Sequence, residues 1–184
     1  MTPIGKPYID AILRLSEKLN EQSPRWAIGG DLGEALQSVD AEPDRIEIVT
    51  DRQSIRKIHD AVAEYEPSQA VLREAESPNV AVIGGKIYPV YTRCRYFSFS
   101  VGEVRVEVHG DLQYSFGIYD WGEPLAVEPE YVYLIGARIP VLSLKVKDDL
   151  YKELGWLDRS EKLSRSLATA KKKAQALQAL GTPG

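Results

Sequence analysis

The chain has one cysteine, Cys94, among 184 residues. An intramolecular disulfide is therefore impossible, and a reducing cytoplasm is the natural compartment. No apolar run approaches the ~20 residues that span a bilayer, so no membrane partner is expected. The opening segment MTPIGKPYID carries charge at once and lacks the apolar stretch of a secretory signal. Basic residues do not outnumber acidic ones: 23 Lys and Arg face 27 Asp and Glu, a formal net charge of −4. That balance argues against a protein that coats nucleic acid by charge alone, but not against a local basic site. Internal repeats and low-complexity linkers are also missing. What remains is an ordinary globular composition, 43% hydrophobic and 27% charged, long enough to bury a core.

Hydrophobic periodicity predicts an amphipathic helix over 7–21, on Ile9, Ile12, Leu13, Leu15 and Leu19. Trp26-Ala27-Ile28 reads as a short strand, and Gly29-Gly30 turns the chain into a helix over about 31–38, with Asp31 near its start. Ile46, Ile48 and Val49 form the next strand, and Asp51 caps a helix over 52–65. From about 71 to 142 β-branched and aromatic residues dominate, broken by Gly84-Gly85, Gly102-Glu103 and Gly136-Ala137 as in hairpins. After Pro140 helical patterning returns, stops at Gly155, and resumes over 158–180 through a basic KKK run that reads as a solvated face. The expected fold is α+β: a mixed sheet flanked by helices, with extra β-hairpins. Residues 1–142 form the α+β domain, and 143–184 a C-terminal helical extension packed on it.

Phosphoryl chemistry asks two things of a protein. Backbone N–H groups must approach phosphates closely, which favours glycine at a helix entrance. Carboxylates must hold a divalent metal between the phosphates and the attacking hydroxyl. Strand alternation puts Arg45, Glu47 and Val49 on one face and Ile46 and Ile48 on the other. Glu107, between Val106 and Val108, supplies a carboxylate from another strand. Each signal has a plain reading as well: a tight turn for the diglycine, a solvated strand face for the charges.

WAIGGDLGEAL followed by RIEIVTD, and later VRVEVHGDL, resembles the nucleotidyltransferase fold of the DNA polymerase β superfamily, in its small prokaryotic-type members. The resemblance spans roughly residues 25–110. It implies that Gly29 and Gly30, with Asp31, meet the phosphates of a nucleoside triphosphate. It places Arg45 at the first metal carboxylate, Glu47 at the second and Glu107 at the third, with Glu47 and Glu107 holding Mg²⁺. The C-terminal helices also resemble the family's, which makes Lys145 and Lys147 candidate phosphate partners. Arginine cannot ligate a metal, and its guanidinium repels Mg²⁺ while it can bind phosphate bidentately. Asp44 is adjacent, but alternation turns it toward the Ile46 face unless a bulge intervenes.

Two functions follow. One is transfer of a nucleoside monophosphate to a hydroxyl on a small molecule, protein or RNA end. The other is a non-catalytic relative that binds nucleotide, phosphate or RNA through Arg45. A third, blander reading is a structural partner that docks by its C-terminal helix. His109, Asp111, Asp120, Trp121 and Glu123 are possible site walls, with Trp121 placed to stack on a base. His59 reads as surface, and Cys94 as a small packed hydrophobe.

Overall fold

The computed structural model describes residues 4–117 and 120–180, with side chains to residue 169. The side chains of the KKK run thus lie outside the described residues. Five helices and seven strands alternate in the expected order. Helix α1 (Lys6–Gln22) is followed by strand β1 (Trp26–Ile28), helix α2 (Gly30–Leu36) and strand β2 (Ile46–Thr50). Helix α3 (Ser54–Ala61) ends in a 3₁₀ turn, Ala63–Tyr65, so the single helix expected over 52–65 is two pieces. Asp51 does cap it: Oδ1 accepts from the Gln53 and Ser54 amides at 3.0 and 2.7 Å.

Three long strands come next, β3 (Val71–Ile83), β4 (Lys86–Val101) and β5 (Val104–Phe116). Their turns fall at Gly84-Gly85 and Gly102-Glu103, as the glycines require. Strands β6 (Pro129–Leu134) and β7 (Ala137–Leu142) make the last hairpin, whose turn is Ile135-Gly136. Helices α4 (Leu144–Glu153) and α5 (Leu157–Leu180) close the chain.

All seven strands join one sheet in the order β3-β4-β5-β2-β1-β7-β6. The pairs β2–β5 and β1–β7 are parallel and the rest antiparallel, so the sheet is mixed. Alternation along β2 sorts its side chains between two layers, as expected. Ile46 and Ile48 enter the main core with Val106, Val108, Ile12 and Leu15, under α1 and α3. Val49 points to the other face, with Ala27, Val127 and Leu142. That second face carries α4 and α5, which pack through Leu144, Tyr151 and Leu163 against Val39. The site lies on this face, between the centre of the sheet and the C-terminal helices.

The turn between α4 and α5 fits tightly on the hairpin β3–β4. The Val82 amide donates to Leu154 O at 3.2 Å, and Trp156 Nε1 donates to Val80 O at 2.7 Å. Gly155, at φ +69°, sits so close that a Cβ would stand 2.0 Å from Val82 O. Only glycine meets both demands.

Candidate functional site

The parallel register of β2 and β5 sets Glu47 directly beside Glu107. Both side chains rise on the face under α4 and α5, and Arg45 lies between them. Arg45 Nη2 is 2.7 Å from Glu47 Oε1, and Nε is 3.2 Å from Glu107 Oε2. Nη1 donates to both oxygens of Asp44 at 2.9 and 3.0 Å. Burial opposes the guanidinium's charge, but Glu47, Asp44 and Glu107 outweigh it and hold its pKa above the usual value. Asp44 reaches the site only from its solvent side, as a partner to Arg45.

Glu107 is the most heavily engaged group. Its Oε1 meets Arg105 Nη2 at 2.6 Å and accepts from the Tyr96 hydroxyl at 3.2 Å. His109 Nε2 lies 3.6 Å from its Oε2, and His109 Nδ1 lies 3.5 Å from Cys94 Sγ. Interaction with His109, aided by Arg45 and Arg105 against the opposing effect of burial, lowers the Glu107 carboxyl to about 2. Burial works against a charged His109, but Cys94 and Glu107 outweigh it and raise the imidazole to about 9. These partners favour the protonated imidazole, although its buried Nε2 makes no hydrogen bond. Cys94 is buried as expected, though its sulfur faces an imidazole and not only apolar neighbours.

At the other end of the cleft, Gly30 adopts φ +54° with the Glu47 carboxylate packed against its Cα; a Cβ there would stand 2.7 Å from Glu47 Cδ. The Gly29 amide donates to Glu47 O at 2.8 Å. Of the two glycine amides expected to meet phosphate, that of Gly29 is thus already taken by the sheet. Lys147 is buried, its side chain 5% exposed. Its Nζ donates to Gly30 O at 2.8 Å and to Glu34 Oε1, which also accepts from the Tyr151 hydroxyl at 2.8 Å. Burial lowers the Lys147 pKa despite the pull of Glu34. Lys147 lines the cleft and anchors the diglycine loop. Lys145 does not reach it: its side chain is 78% exposed and pairs with Asp149 at 2.6 Å. The helical period that points Lys147 inward turns its neighbour but one to solvent.

Gly29, Gly30, Asp31, Arg45, Glu47, His109 and Lys147 line one cleft of about 330 Å³. Arg159 of α5, which the sequence patterning did not single out, lines it too. Arg159 rests over the rings of Tyr151 and Trp156, 5.8 and 5.6 Å from their centroids, and Tyr151, Asp31 and Glu34 raise its pKa against the effect of burial. A basic residue in an amphipathic helix carries no sequence signal that distinguishes it from a solvated one. Trp121 stands apart from the cleft, with the Arg93 guanidinium 4.6 Å from its ring centre. Asp120 and Glu123 belong to a neighbouring groove, and Asp111 to neither. His59 packs edge-on against Phe97 on the far face.

The donor set does not fit Mg²⁺. Both glutamates that would ligate it are ion-paired to Arg45, and Arg105 adds positive charge at Glu107. Among the described residues no three His, Cys, Asp or Glu side chains are grouped to hold a metal. The position that the resemblance gives to the first carboxylate is filled by a cation that is ion-paired to both remaining carboxylates.

No protein-family model matches the sequence, and neither does any curated protein. Solved structures do. A Thermotoga maritima protein described provisionally as a nucleotidyltransferase aligns at a TM-score of 0.63 and 23% identity, over 91% of this chain and 96% of its own. ANT(2")-Ia in complex with adenylyl-2"-tobramycin aligns at 0.51 and 10% identity, over 95% of this chain and 99% of that one. The chain has the nucleotidyltransferase fold. Within that fold the cleft stands where strands β2 and β5 present their charged residues beside the diglycine turn. No described helix is long and apolar enough to cross a membrane.

Proposed function

We propose that this nucleotidyltransferase-fold protein binds a nucleoside triphosphate, or a related phosphorylated ligand, without a divalent metal. The observation that carries the reading is the Arg45 guanidinium lodged between Glu47 and Glu107. A fixed cation there neutralises the two carboxylates, as a metal would, and removes their repulsion of an incoming phosphate. Arg159 at the cleft, which has no carboxylate within 4 Å among the described residues, supplies the phosphate-facing charge, and half-buried Trp156 beside it offers a base an aromatic surface.

A thermal-shift and calorimetric titration of ATP, GTP, CTP and UTP, each with Mg²⁺ and with EDTA, tests this. Expected is a nucleotide-induced rise equal in both conditions, with affinity reduced about tenfold in Arg159→Ala, the loss of one charge-assisted contact of about 1.5 kcal/mol. A rise that requires Mg²⁺ and disappears in Glu47→Ala would overturn the reading in favour of a metal-dependent transferase. Transfer of a nucleoside monophosphate to a hydroxyl is the second reading, favoured by the likeness in fold to ANT(2")-Ia, which is seen with an adenylylated ligand. Pyrophosphate release from bound triphosphate on addition of an acceptor separates it from binding alone.

A further inference from the structure

Beside the cleft lies a second, larger recess of about 730 Å³ between α4, the end of β5 and the segment that follows it. Its floor is apolar: Ile83, Phe116, Leu125, Val146 and Leu150. Its rim is acidic: Asp120, Glu123, Asp149 and Glu153, with no basic residue in the lining among the described residues. Asp149 is matched by Lys145 at 2.6 Å, but Asp120, Glu123 and Glu153 have no ion-pair partner among the described residues. Tyr114, Leu125 and Leu150 belong to both recesses, so the groove and the cleft share a wall. Tyr114 stands in that shared wall, where burial holds its phenol pKa well above the usual value. An apolar floor under carboxylates that no described cation pairs is not packing that a core requires.

We infer that this groove binds a small cationic amphiphile, a molecule with an apolar body and an ammonium or guanidinium head. The floor selects the body by burial. The rim selects the charge: an anion would meet three uncompensated carboxylates, and a polyhydroxylated molecule would leave its hydroxyls unpaired on the floor. The volume is that of a small-ligand site, so the occupant is a small molecule and not a protein surface. The inference rests on the groove alone and holds whether or not the adjacent cleft takes a nucleotide.

The test titrates octylamine, octan-1-ol and octanoate, all below micelle concentration, into the full chain carrying labelled Ile, Leu and Val methyl groups, with no nucleotide present. Octylamine is expected to shift the Val146 and Leu150 methyl signals saturably, the alcohol to bind more weakly and octanoate not at all. In the double variant Glu123→Gln/Glu153→Gln, octylamine should bind about tenfold more weakly. Both positions are exposed, so folding is unaffected, and methyl spectra of the variant verify that. Equal binding of amine and alcohol, insensitive to the double variant, would show only an apolar hole and overturn the inference. Absence of any shift at Val146 and Leu150 would do the same. ATP titrated into the same double variant reports on the cleft separately, so failure of one site is not mistaken for failure of the other.

Discussion

His109 is held between opposing influences, and its titration gives the site a pH signature. Its folded-state pKa of about 9 lies above the ordinary 6.5. The resulting stabilisation is complete below about pH 6.5 and is lost as pH rises through 9, on the order of 3 kcal/mol. Chemical denaturation of the wild type should therefore show falling stability between those values, and His109→Gln should flatten that slope. Glu107 behaves oppositely. Its carboxyl is lowered to about 2, so its contribution is present above the ordinary 4.5 and is lost as acid approaches 2. Arg45 permits a direct substitution. Arg45→Asp places a third carboxylate beside Glu47 and Glu107, and Mn²⁺ binding followed by water-proton relaxation should be detectable in the variant and missing from the wild type. Arg45, Glu47 and Glu107 were legible in the sequence because strand alternation and the family resemblance both fix them. Arg159 was not, because a position on a helix says nothing about which distant loop that helix faces.

Two contacts decide how the helices sit on the sheet. Lys147 of α4, Glu34 of α2 and Tyr151 form a buried polar knot that ties the helix to the diglycine loop. Removing only the lysine leaves a buried carboxylate uncompensated, so Lys147→Met should destabilise by about 3–5 kcal/mol. Adding Glu34→Leu should recover much of that loss, which paired thermal melts will reveal. Gly155→Ala at the α4–α5 turn meets both a positive φ and the Val82 carbonyl. A loss of about 2–3 kcal/mol, or a Tm lower by roughly 5–10 °C, is expected. Elements themselves were well signalled. Gly84-Gly85 and Gly102-Glu103 mark two hairpin turns, and Asp51 marks a helix start. The break after Ala61 was missed, since the apolar stripe of Ile55, Ile58 and Val62 continues across it and Val62 stays buried.

At the scale of the whole molecule, the α+β composition was predictable from the alternation of periods, but the strand order was not. Nothing local in RIEIVTD announces that it pairs in parallel with a segment some 60 residues onward, yet that register is what sets Glu47 beside Glu107. The central pair should also be the last to open. Amide exchange is expected to be slowest in β2 and β5, which are flanked on both sides, and fastest in the outer strands β3 and β6. The clasp of the α4–α5 turn on β3 bears on more than the hairpin. A sheet with two unlike free borders is a tile that can, in principle, be laid end to end without limit, β3 of one copy against β6 of the next. Here one border is obstructed over Val80–Val82 by the molecule's own turn. The stretch before it carries Arg73, Glu74 and Glu76 and is interrupted by an irregularity between Glu76 and Val80. Open-ended polymerisation needs both borders along their length, so a border interrupted by the molecule's own turn works against a fibre.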